Sequence, residues 1–174
     1  AKLNELEIEK LHVVSQSHNT DLIVGLGPGR RWLGGSGRNI PSFELFISPD
    51  KRFTEGKISF NQPLYRYGNR INNVKLEFKH GKVVNAEASE GQDILREMIA
   101  TPGADQIGEF SLTDSRLSRI TKFMAETLFD ENIGGPHGNT HIALGNAYQD
   151  SYPGAPTKLN KEDWAAMGYN ESIV

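Results

Sequence analysis

The chain has no cysteine in 174 residues. That removes disulfides, thiol catalysis and every zinc–cysteine site, so any metal ion must be held by His, Asp, Glu, water or substrate. No apolar run approaches the roughly 20 residues of a membrane-spanning helix. The first ten residues, Ala1 to Lys10, lack the apolar stretch of a signal peptide. Basic charge is also scarce: 19 Lys and Arg against 22 Asp and Glu leave a net charge of -3, which gives no electrostatic case for nucleic acid or an acidic membrane surface. The expectation is a cytoplasmic protein, long enough to bury a real core and built as a single domain or little more.

What is present is mostly β-rich. Leu3, Leu6 and Ile8 make a short, weak helical stripe. Leu11–Ser15 and Thr20–Leu26 read as a hairpin around Gln16-Ser17-His18-Asn19. A glycine-rich stretch from Gly25 to Gly37 follows; it carries Arg30 and Arg31 but lacks the Gly-Lys-Ser/Thr ending of a phosphate loop. Phe43–Ser48 reads as a strand with Phe43, Leu45 and Ile47 on one face and Glu44 and Phe46 on the other. Lys57–Phe60 is another strand. Val74–Phe78 and Val83–Ala88 alternate about His80-Gly81, a strong hairpin signal. Asp93–Ala100 has helical apolar spacing and ends at Thr101-Pro102-Gly103-Ala104. Arg116–Phe129 shows a helix-like period through Leu117, Ile120, Phe123, Met124 and Leu128. Asn160 is a good cap for a short helix after it, and Asn170–Val174 looks strand-like. The fold class is α+β, dominated by antiparallel or mixed sheet with a few short helices.

Three stretches carry chemistry. Glu44 lies on a strand with apolar residues on both faces, where an unpaired carboxylate is very expensive. It must be paired, neutralised or metal-bound, and Arg30, Arg31 and Arg38 are alternative partners. Glu109 sits between Gly108 and Phe110 in an apolar strand. Asp130-Glu131-Asn132 opens a glycine-rich loop that leads to His141, whose strand face is shared with Ala143, Gly145 and Ala147. Small neighbours leave room beside the imidazole. Carboxylates and histidine without thiolate suit divalent ions such as zinc, cobalt or manganese.

The spacing alone is no diagnostic motif, but the order of these segments matters. Asn39-x-Pro-x-x-Glu44, then Gly108-Glu109, then Asp130-Glu131-Asn132 with Thr140-His141-x-Ala-Leu-Gly-x-Ala-Tyr148, resembles the thermophilic aminopeptidases of the M29 metallopeptidase family, the aminopeptidases T, S and PepS. Thr20-Asp21-Leu22, Gly29-Arg30 and Trp32 fit the same pattern, so the resemblance runs from about Leu11 to Val174. It implies a two-metal site in which Glu44, Glu109, Glu131 and His141 are ligands and Glu109 is the bridging, catalytic carboxylate. It also implies that Tyr148 is the active-site tyrosine that steadies the oxyanion. The substrates would be peptides, trimmed from the N-terminus with little regard to side chain, and the intact enzyme a homodimer. Asp130 and Asn132 read as scaffolding of the loop, and His137 is left out of the site.

Two departures stand out. The family usually has glycine directly before the first glutamate, where this chain has Phe43. It also continues past a segment like Asn170–Val174 with a His-x-Asp pair that completes the ligand set, and it carries an N-terminal α/β domain. Residues 1–174 therefore read as part of the C-terminal catalytic domain, expected to bind metal weakly and to have low activity. The alternative is a non-catalytic domain that holds a peptide or partner in the same cleft.

Overall fold

The computed structural model describes residues 2–35, 41–125 and 127–174. Two antiparallel sheets face one another across the main core. The first has strand order β1-β2-β5-β8-β9, with β1 Lys10–Ser15, β2 Thr20–Gly25, β5 Thr54–Ser59, β8 Lys75–Lys79 and β9 Lys82–Glu87. The second has order β11-β10-β4-β3, with β3 Leu33–Gly34, β4 Leu45–Ile47, β10 Ile107–Thr113 and β11 Asn139–Leu144. A small hairpin, β6 Leu64–Arg66 and β7 Asn69–Ile71, stands beside them. Every strand pair among the described residues is antiparallel, which narrows the expected mixed sheet.

Alternation in the strands decides what faces inward. Leu22, Val24, Ile58, Leu76 and Phe78 of the first sheet meet Ile47, Ile107 and Phe110 of the second in one buried cluster. Opposite them, Asp21, Glu55, Lys57 and Glu77 stay exposed, and Asp21↔Lys57↔Glu77 are cross-strand neighbours of alternating charge. The β8–β9 turn holds both His80 (φ 52) and Gly81 (φ 78) in the left-handed region that a two-residue hairpin demands. After the short helix α1, Lys2–Glu5, the helix α2, Gln92–Ala100, buries Leu95 against the core. The last helix, α4 Lys161–Ala166, begins with a reciprocal cap: the Asn160 side chain accepts from the Asp163 N–H at 2.9 Å, and Asp163 accepts from the Asn160 N–H at 3.0 Å. A second small core of Ala147, Trp164 and Tyr169 fixes this end of the chain. Arg30 stacks on Tyr169 at 4.3 Å and donates to the Ser48 and Met167 carbonyls at 2.8 and 2.7 Å.

Two expectations change. Among the described residues, the helix-like period over Arg116–Phe129 yields only the single turn α3, Thr127–Asp130. Short polar side chains capture the main chain instead: Asp114 accepts from the Arg116 N–H at 2.8 Å, Ser118 from Ile120 at 3.2 Å, and Asp130 from Met124 at 2.7 Å. Such local bonds compete with the helical ladder. The tail Asn170–Val174 is not a strand, although the Asn146 and Ala147 N–H groups bind the Val174 and Asn170 carbonyls at 2.5 and 2.7 Å.

Candidate metal centre

The site occupies the face of the second sheet that looks away from the main core. Residues opposite one another share a face: Ser111 pairs with Phe46 on one side and His141 on the other, and Glu109 pairs with Ala143. The two-residue period then puts Glu109, Ser111 and Thr113 of β10 on the same face as His141 and Ala143 of β11. Leu112 and Ile142, one step along, point to the core instead. Gly145 and Ala147, expected on the His141 face, lie beyond the end of β11.

Glu44 reaches this face from the residue before β4. The chain there is bent, not extended: Phe43 has φ 52, a left-handed conformation that side chains other than those of Gly and Asn rarely adopt. This is the position where the sequence departs from the expected glycine. The backbone demand persists although the side chain has changed. Gly108 on β10 answers a different need, since a Cβ there would run into the carbonyl oxygens of Gly145 and Asn146. Small size at that point keeps Glu109 pressed against the turn after β11.

Three of the four expected ligands converge. Nε2 of His141 lies 3.2 Å from Glu44 Oε1 and 3.5 Å from Glu109 Oε1. One ligand atom from each of the three lies within 4.8 Å of the others. Glu131 stands differently: its main-chain carbonyl meets His141 Nδ1 at 2.9 Å, and its carboxylate is not one of the three converging groups. That contact makes Nδ1 the donor and aims Nε2 at the carboxylates, the orientation a histidine ligand requires. Tyr148 packs its ring on Phe46, 5.3 Å between centroids, on the same sheet face, and its main-chain N–H donates to Ser48 Oγ at 2.8 Å.

Sequence reasoning missed the polar groups around Glu44. Ser111 Oγ donates to Glu44 Oε1, and Asn132 Nδ2 donates to Oε2 at 3.3 Å. Asn132, read as loop scaffolding, does shape the loop, because its carbonyl accepts from Ser118 Oγ at 3.0 Å. Its side chain reaches the carboxylate as well. The alternative arginine partners go elsewhere: Arg30 to main-chain carbonyls and Arg31 Nε to the Asp150 carbonyl at 3.3 Å. Arg38 and Asn39 fall outside the described residues.

Burial makes the electrostatics strong. Burial pushes the His141 imidazole down, but its hydrogen bonds to Glu109 and Glu44 carry it up to about 10. Burial pushes the Glu109 carboxyl up, and the adjacent Glu44 adds to that against the pull of His141. Glu44 meets the same burial penalty, yet hydrogen bonds from His141 and Ser111 outweigh it and its net direction is down. Two carboxyl groups this close do not both ionise easily, so Glu109 is the one driven towards keeping its proton.

A nitrogen and two carboxylates in a largely buried cluster, with no thiolate, form a donor set suited to a borderline divalent cation. A sequence profile for the family described as thermophilic metalloprotease (M29) matches residues 1–174. The chain belongs to the M29 family. It is 35% identical to aminopeptidase AmpS of Bacillus subtilis and 33% identical to aminopeptidase T of Thermus thermophilus, covering 99% and 100% of this chain and 43% of each relative. The solved structure of wild-type AmpT from Thermus thermophilus superposes with a TM-score of 0.85 at 33% identity, over 99% of this chain and 43% of that one. The chain thus spans less than half the length of these M29 relatives, and its sheet-rich α+β fold is that of the matched part of AmpT.

Proposed function

We propose that residues 1–174 form part of the C-terminal catalytic domain of a metal-dependent aminopeptidase that removes N-terminal residues from peptides. The observation that carries this is the convergence of Glu44, Glu109 and His141 in a buried, thiolate-free cluster, in a family whose named relatives are aminopeptidases. Glu44, Glu109, Glu131 and His141 would hold two divalent ions, zinc or cobalt. Bound ions of this kind lower the pKa of water and polarise a peptide carbonyl.

The remaining work belongs to side chains. Glu109 would serve as the catalytic carboxylate by holding metal, its oxygen 3.5 Å from His141 Nε2. His141, held at Nδ1 by the Glu131 carbonyl, keeps Nε2 aimed inward. The Tyr148 hydroxyl donates to the developing oxyanion. The intact enzyme acts as a cytoplasmic homodimer. Zinc or cobalt titration coupled to hydrolysis of amino-acid amides tests this reading: metal-dependent release of amine supports it, and metal binding with no turnover in a chain extended beyond Val174 refutes it.

One observation favours a second reading. A protonated His141, 3.2 Å from Glu44 and 3.5 Å from Glu109, pairs with both carboxyl groups without an ion. A non-catalytic domain that holds a peptide in the same cleft would use the cluster as a structural knot. In that case its thermal stability would not respond to zinc or cobalt.

A further inference from the structure

Glu44 ends in a carboxylate whose last torsion is broad, so burial alone does not fix the plane of that group against His141. Three neighbours fix it. Thr113 Oγ1 donates to Asn132 Oδ1 at 3.0 Å, which turns the amide so that Nδ2 faces outward. Nδ2 then donates to Glu44 Oε2 at 3.3 Å, while Ser111 Oγ donates to Oε1. Oε1 is the oxygen that lies 3.2 Å from His141 Nε2. All four residues are at least nine-tenths buried: Thr113 5%, Asn132 2%, Ser111 0% and Glu44 4% exposed. In such a setting a misdirected donor leaves a buried acceptor unmet, so the directions of these bonds reinforce one another.

We propose that Thr113 and Asn132 form a relay which, with Ser111, fixes the plane of the Glu44 carboxylate against His141. They are positioning residues. Their effect on a divalent ion rests on the aminopeptidase reading above, but their effect on Glu44 does not. The chain supplies the relay economically: the strand period places Ser111 and Thr113 on the Glu109 face of β10, and the loop after α3 lowers Asn132 onto them.

Thr113→Val keeps the shape and removes the hydroxyl, whereas Thr113→Ser keeps the hydroxyl. In the metal-free chain the Asn132 side-chain amide protons are expected to exchange slowly in the wild type and in Thr113→Ser, and to lose that protection in Thr113→Val. Zinc titration calorimetry is expected to give roughly tenfold weaker binding for Thr113→Val and near-wild-type binding for Thr113→Ser, the size usual when a ligand's supporting hydrogen bond is cut. Should Thr113→Val fail to fold, Ser111→Ala carries the same expectation for zinc. Unchanged amide protection in Thr113→Val overturns the relay, as does unchanged zinc affinity once protection is lost. A wild type that binds no zinc sinks the aminopeptidase reading instead, and the metal-free amide comparison still decides the relay.

Discussion

Protons and metal ions compete for the same three groups, and that competition gives a pH signature with a definite sign. A folded pKa of about 10 for His141 against an ordinary 6.5 means that the folded cluster holds its proton more tightly than the unfolded chain does. Its contribution to stability is complete below pH 6.5 and is lost as pH rises through about 10. Glu109, also raised, acts with the same sign from its ordinary 4.5 upward. Glu44, lowered, contributes above 4.5 and loses that contribution as pH falls further. At about 1.4 kcal/mol per tenfold of proton affinity, the His141 contribution alone has an upper bound of about 5 kcal/mol. The imidazole is only 12% exposed, so solvent screening removes little of it. A zinc ion must displace these protons, and its binding strengthens as pH rises. Thermal unfolding from pH 5 to 10 in chelator should show a falling Tm above 6.5, while the gain in Tm on adding zinc grows over the same range. His141→Gln should flatten both trends. A chelated protein whose Tm is level across that range, or a variant that keeps the slope, would refute the charge assignment.

Phe43 gives a cleaner test of backbone strain. A non-glycine residue in the left-handed region costs about 1–2 kcal/mol. Phe43→Gly should therefore be more stable to urea than Phe43→Ala by about 1 kcal/mol, the reverse of the usual order at ordinary backbone angles. At Gly108, alanine would strike two carbonyl oxygens that cannot rotate away, and about 1–3 kcal/mol should be lost in urea unfolding together with zinc affinity. Tyr148→Phe keeps the ring on Phe46. Its Tm should stay within about 2 °C while kcat on amino-acid amides falls by about 10²-fold or more, the loss typical of a missing oxyanion donor.

Local signals were legible in the sequence. The hairpins at Gln16–Asn19 and His80-Gly81, the helix ending at Ala100 and the Asn160 cap all follow from turn chemistry and spacing, and they appear where those signals lie. Glu44 was legible because a carboxylate between apolar neighbours demands a partner. The identity of that partner was not, since His141 lies 97 positions away and only strand order joins the two. Ser111 and Asn132 were invisible for the same reason. The false helix over Arg116–Phe129 shows the converse: a good apolar period lost to side chains that bind nearby N–H groups. The short strands β6 and β7 gave no alternation long enough to read.

Glu44, Glu109 and His141 are expected to hold a divalent ion jointly. Equilibrium dialysis of the chain across a range of zinc concentrations at pH 8, with metal counted by plasma mass spectrometry, tests it most directly. Saturable binding of at least one zinc per chain, weakened at least tenfold by Glu109→Gln and by His141→Ala, is the predicted result. No saturable zinc, or binding that both variants leave intact, would contradict it.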